Sequence, residues 1–140
     1  GKADLVARCK DLANVYFMSL QPIERLNDLL GLADIHLLPQ RADAADLVMP
    51  SKLTGMLASG RPVVATAHQH TELARIVAGC GLVVPPEDPA SLAAAVLALA
   101  DTPERSKAFG IAARKYAEAE LNVHSVLSRF EVELAALVAG

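Results

Sequence analysis

Apolar residues cluster along this chain in two ways, and the alternation between them predicts the fold. Some lie in short continuous runs, such as Val63-Val64-Ala65 and Gly81-Leu82-Val83-Val84, bounded by proline, glycine or polar residues. Runs of that kind fit strands covered on both faces. Elsewhere apolar positions recur three and four residues apart, which is helical spacing. The pattern predicts helix over 3–12, strand over 14–18 and helix over 22–32, with Ile23, Leu26, Leu29 and Leu30 on one face. It continues with strand over 35–38, loop over 40–49, helix over 50–59, strand at Val63 and helix over 70–78. A strand over 81–84 follows, then a helix from Pro89 with Leu92, Val96 and Leu99 on its buried side. Helices over 103–118 and 122–138 close the chain without an intervening strand.

Local punctuation supports these boundaries. Pro50 suits the first position of a helix, where its missing N–H is no loss, and Gly60 suits the left-handed residue that ends one. Asp88 and Asn122 each stand where a side-chain oxygen can cap a helix start. Strands alternating with helices define an α/β class with a parallel sheet. The expected architecture is a doubly wound, Rossmann-like sheet with two C-terminal helices as an appendage. In such folds ligands bind beyond the carboxyl ends of the strands. That rule selects Ser19-Leu20-Gln21, Pro39-Gln40-Arg41, Thr66 to His70 and Pro85 to Asp88, with the helix start at Pro50 on the same rim.

Composition narrows the functional classes. A chain of 140 residues, 53% hydrophobic but only 4% aromatic, can build one aliphatic core. The net charge of −3 argues against a general nucleic-acid surface. No apolar run is long enough to span a bilayer. Two isolated cysteines, Cys9 and Cys80, suggest no disulfide framework and a reducing, cytoplasmic setting.

Candidate chemistry concentrates at Pro50-Ser51-Lys52. The free N–H groups of a helix start favour anions, and Lys52 adds a mobile positive charge. Ser51 is placed either to bond a phosphate oxygen or to cap the backbone. Arg41 lies on the preceding loop, and Thr54 one turn into the helix can reach a ligand or bond back to the chain. His68-Gln69-His70 with Glu72 is a weak metal pattern, and no metal is expected; His70 is better placed near a helix start, as a cap or ligand contact. His36 reads as a packed core or rim residue. Lys107, Arg114 and Lys115 alternate with Glu104, Glu118 and Glu120, so they read as a solvated face. No Ser-His-Asp set, Walker loop, Gly-x-Gly-x-x-Gly turn or Cys-x-x-Cys pair occurs, and no residue stands out as base or nucleophile.

Five segments in order carry a resemblance: Asn14-Val15-Tyr16-Phe17, Ala33 to Pro39, Ala58-Ser59-Gly60-Arg61-Pro62-Val63-Val64-Ala65, Gly81 to Pro85, and Asp88 to Leu92. Together they resemble retaining glycosyltransferases of family 4, in the C-terminal, nucleotide-sugar-binding half of the GT-B architecture. Pro50-Ser51-Lys52 is similar to the colanic-acid-type subset of bacterial polysaccharide enzymes. The resemblance covers nearly the whole chain, so residues 1–140 correspond to part of the nucleotide-sugar-binding domain, helices 103–138 included. It implies that Ser51, Lys52 and Arg41 hold the donor diphosphate. Leu20 and Gln21 would meet the base through backbone groups, with Thr54 also toward the nucleotide.

The implied function is transfer of a sugar from a nucleotide-diphosphate sugar to a glycan or lipid-linked acceptor. The donor is a substrate, and no cofactor is implied. The implied setting is the cytoplasm, at the inner face of the membrane where the acceptor is lipid-linked. Two departures matter. Many family members carry two glutamates separated by seven residues; their places hold Leu47 and Gly55, so ribose binding by that carboxylate does not carry over. The family also has an acceptor half and two strand–helix units before the segment resembled by Gly1 to Leu12. The expected strand at Val15 would then lack its neighbour, while those at Ile35, Val63 and Leu82 pair in sequence. Alternative readings are a nucleotide-sugar epimerase of the same architecture, a partner-binding degenerate half and a non-enzymatic α/β module. A receiver domain fits poorly, because it needs acidic strand ends where this chain has Ser19, Pro39 and Thr66.

Overall fold

A computed structural model describes residues 1–42 and 49–139. Helix α1 spans Lys2–Arg8, and a 3₁₀ turn at Ile23–Arg25 leads into α2, Leu26–Gly31. Strand β1, His36–Leu38, is followed by α3, Lys52–Ala58, then β2, Val63–Thr66. Helix α4, Glu72–Ala78, strand β3, Gly81–Val84, and helix α5, Pro89–Ala100, complete the alternation. Helices α6, Pro103–Glu120, and α7, Val123–Ala139, follow.

The sheet is parallel, in the order β1-β2-β3. Its side chains divide as a pleat requires. Val63 and Ala65 join Leu53 and Leu57 of α3, Ile76 and Val77 of α4 and Ala113 of α6 on one face. Val64 joins Leu99 and Ala95 of α5 on the other, with Leu82 and Val84 beside them. Covering on both faces is why these strands read as unbroken apolar runs. On β1 one face opens: Leu37 is about half exposed while His36 and Leu38 are buried.

The expected strand over 14–18 does not form. A strand needs a partner for its backbone groups, and this segment pairs with none of β1 to β3. Tyr16 is 82% exposed, and Val15, Phe17 and Met18 also face outward. The pairing of the other three strands in sequence agrees with expectation. Helix α1 ends at Arg8, earlier than the pattern suggested, and the 22–32 helix begins as the 3₁₀ turn, with Ile23 and Leu26 exposed. Pro50 lies outside α3, its carbonyl accepting from the Leu53 N–H at 2.9 Å. Asp88 and Asn122 cap as expected, accepting from the N–H of Ser91 and of Ser125, each at 2.9 Å.

The turn between α3 and β2 is fixed from three sides. Gly60 adopts φ 72°, as its place after the helix requires. Gly110 of α6 packs so closely that an added Cβ would collide with the Gly60 carbonyl. The Ser59 hydroxyl donates to the Met56 carbonyl at 2.6 Å, so it accepts from His36 Nε2–H at 2.9 Å. Burial, helped by the Arg61 charge, holds the His36 pKa below its usual value, so the ring is kept neutral.

Two outcomes follow. Gly110→Ala gains about 1 kcal/mol of helix propensity but forces apart two backbone segments, an overpacking cost of about 1–3 kcal/mol. Net destabilisation in urea unfolding is expected, and stabilisation would show that α6 does not press on the turn. For His36, the unfolded chain takes up a proton near pH 6.5 while the folded chain resists it. Its contribution is therefore complete above pH 6.5 and is lost as pH falls from there toward the lowered folded value. His36→Gln should flatten stability against pH in that window; parallel profiles would contradict the buried neutral ring.

Candidate active-site rim

Three loops and one helix start meet the carboxyl side of the sheet. After β1 the chain turns at Pro39 and runs through Gln40 and Arg41. Thr66, the last residue of β2, ties this loop down. Its buried hydroxyl donates to the Gln40 carbonyl at 2.8 Å and accepts from the Gln40 N–H at 2.6 Å. One side chain thus satisfies both backbone groups of a rim residue 26 positions away. The Gln40 Oε1 is enclosed and has no partner among the described residues.

Ser51 precedes α3 and its side chain makes no capping bond. Lys52 opens the helix, and both residues are exposed. The Thr54 hydroxyl, also exposed, makes no hydrogen bond among the described residues, so it does not bond back to the chain. Arg41 is exposed on the loop after β1. Gly55, where many members of the resembled family carry a carboxylate, faces Leu30 of α2; an added Cβ would sit 3.1 Å from its Cδ1. Leu47, the other such position, lies outside the described residues.

Leu20 and Gln21 follow the 14–18 segment, on the chain leading to the 3₁₀ turn. Leu20 is fully exposed, and the Gln21 side chain donates only to the Ser19 carbonyl, at 3.1 Å.

A cavity of about 710 Å³ opens between the loop after β2, one side of α4 and the loop after β3. His68, His70, Thr71, Arg75 and Pro86 line parts of it. Two non-glycine residues on these loops are left-handed, His70 at φ 75° and Glu87 at φ 60°. Such backbone costs energy and concentrates at ligand-binding segments. The α4 cap is Thr71, whose hydroxyl oxygen accepts from the Ala74 N–H at 3.1 Å, and His70 stands just outside the helix. Glu72 is held by Arg75, which lowers its pKa. No three metal-ligating side chains gather among the described residues.

Sequence reasoning put Thr66 on the rim but missed its clasp on Gln40, and it missed Thr71 as a cap. Thr71 carried a legible signal, a threonine directly before a glutamate-led helix. The clasp carried none, because its bonds span 26 residues.

A parallel sheet with uncommitted polar side chains on its carboxyl rim defines an α/β ligand-binding domain. The comparisons make the class specific. The chain belongs to the family described as Glycosyl transferases group 1, which it matches over residues 1–102. It is 38% identical over 135 residues to a protein of Escherichia coli named as a colanic acid biosynthesis glycosyl transferase, WcaI. That match takes in 93% of this chain and 32% of the relative, so the chain spans about a third of it. Its fold superposes on sucrose-phosphate synthase of Thermosynechococcus elongatus with a TM-score of 0.78 at 22% identity, covering 99% of this chain and 34% of that one. It also matches Anabaena Alr3699/HepE, described in complex with UDP-glucose, with a TM-score of 0.77 at 14% identity over 96% and 36% of the two chains. The fold is therefore the Rossmann-like half found in GT-B glycosyltransferases. No helix among the described residues is long and apolar enough to cross a membrane.

The Thr66 clasp is testable. Thr66→Val keeps the shape but strands the Gln40 N–H and carbonyl, at about 1–3 kcal/mol for each buried group left unpaired. Unfolding should show that loss, and Thr66→Ser should restore most of it. Equal stability of the Thr66→Val variant and the wild-type protein would mean that water replaces the clasp.

Proposed function

We propose that this chain is the donor-binding half of an enzyme moving a sugar from a nucleotide-diphosphate sugar to a glycan or lipid-linked acceptor in polysaccharide assembly. One observation carries the reading: at the start of α3, on the carboxyl rim, Ser51 makes no cap and Lys52 is exposed. A capped serine and a paired lysine would be structural; an uncommitted pair in a glycosyltransferase chain suits a diphosphate. The UDP-glucose bound by the Anabaena protein supports the donor class, and the name of the Escherichia coli relative supports the polysaccharide setting.

In this reading Lys52 neutralises the leaving diphosphate as negative charge develops on it, and the Ser51 hydroxyl donates to a phosphate oxygen. Arg41 approaches from the loop after β1. Thr54 lies toward the nucleotide, and Leu20 and Gln21 meet the base once the 14–21 segment has a neighbouring strand to pair with. The donor is a substrate and no cofactor takes part. The order of the resembled segments supports family 4 and retention of configuration. It also supports an acceptor half outside these residues, so the chain alone would bind donor without transferring sugar. A lipid-linked acceptor would put the protein at the cytoplasmic face of the membrane.

In the full-length enzyme, Lys52→Ala should weaken donor binding by about 1.5–3 kcal/mol, the range for a lost hydrogen bond to a charged group. Calorimetry with a nucleoside diphosphate measures it, with Lys10→Ala as control. Unchanged affinity would remove Lys52 from the site.

A further inference from the structure

At the other end of the sheet, the turns entering β1 and β2, the end of α5 and α6 as far as Lys115 line a cavity of about 690 Å³. Arg61, Lys107, Arg114 and Lys115 line it, against a single carboxylate, Asp34. In the sequence the three α6 cations alternate with Glu104, Glu118 and Glu120 and read as a solvated face. Folding distributes the two signs unequally about this cavity. Lys107, Arg114 and Lys115 share one stripe of α6; Glu104 and Glu118 adjoin it near the helix ends, Glu118 paired with Arg114, and Glu120 is the last residue of α6. None of these three glutamates lines the cavity.

The two arginines are positioned by backbone. Arg61 Nη2 donates to the Gly31 carbonyl at 2.8 Å, and Arg114 Nη1 to the Ala58 carbonyl at 2.7 Å. Arg114 Nε also donates to Glu118, at 2.6 Å. The Lys107 and Lys115 ammonium groups have no partner among the described residues. Between them lie apolar walls, including the fully buried Leu99. Like charges sharing a concave, partly apolar site repel one another and focus a positive potential, which an anion relieves. Anchored guanidinium groups beside mobile ammoniums suit phosphate oxygens in particular.

We propose that this cavity binds a multiply charged phosphate group, carried by a soluble compound or by a phospholipid headgroup. It lies at the amino ends of the strands, across the sheet from Ser51 and Lys52, so it is a separate site and does not depend on the donor reading.

The test uses the full-length protein with Lys52→Ala in the background, to suppress binding at the α3 start. Inorganic pyrophosphate is titrated while hydrogen exchange is followed over 60–62 and 103–115. In parallel, the protein is sedimented with phosphatidic acid or phosphatidylcholine vesicles. Protection of those segments by pyrophosphate, or selective capture by phosphatidic acid, is expected, and the responding arm identifies the source. Lys107→Gln with Lys115→Gln should weaken the response about tenfold. No response in either arm overturns the proposal. So does a response that persists unchanged in the double variant, with folding verified by circular dichroism.

Discussion

Everything in this domain depends on a short central strand being enclosed from both sides. Val63, Val64 and Ala65 are wholly buried, and successive side chains enter different cores. β2 therefore couples the α3–α4–α6 layer to α5, and it also supplies the ladder through which β1 and β3 are joined. Parallel pairing cannot be made by a hairpin. Each partner must return through a crossover helix, so α3 and α4 are obligatory connections whose starts fall on the carboxyl rim. The geometry that makes a ligand site available is thus a by-product of the pairing that makes the core.

The turn before β2 shows how closely that pairing is set. Gly60 reverses the chain in a left-handed conformation while Gly110 lets α6 approach its carbonyl. Beneath it the neutral His36 ring and the Ser59 hydroxyl join the first residue of β1 to the last turn of α3. On the opposite rim Thr66 performs a related task, joining the end of β2 to the loop after β1. Both contacts tie a strand to a non-adjacent segment through the hydroxyl group of a short side chain, which loses little rotamer freedom on ordering.

Local features were legible in the sequence, and features that depend on a distant partner were not. Val63-Val64-Ala65 announced a doubly covered strand, and Asp88 and Asn122 announced caps, because each signal is complete within a few residues. Val15 to Met18 carried equally good strand propensity yet forms no strand, because propensity describes a fit to a neighbour that this segment does not pair with. The same limit governs the rim. Ser51 and Lys52 could be named from the helix start, but that Ser51 leaves its cap unmade was visible only in three dimensions. Leu20 and Gln21 were given their role toward the base through the resemblance, and the strand expected before them does not form.

Charge follows the same logic as burial. A run of alternating signs on a helix says only that the helix is solvated, since every carboxylate has a nearby cation to meet. In α6 the local pairing is selective: Arg114 meets Glu118, and Glu120 is drawn to Arg129 of α7. Lys107 and Lys115 are left to share a cavity with Arg61, which belongs to the turn before β2. Arg61 itself is held there by the carbonyl of α2's last residue. The cations of this cavity therefore come from two elements, α6 and the turn before β2, with Arg61 fixed from a third, α2. A feature built from separate elements in this way has no signature in any one stretch of sequence.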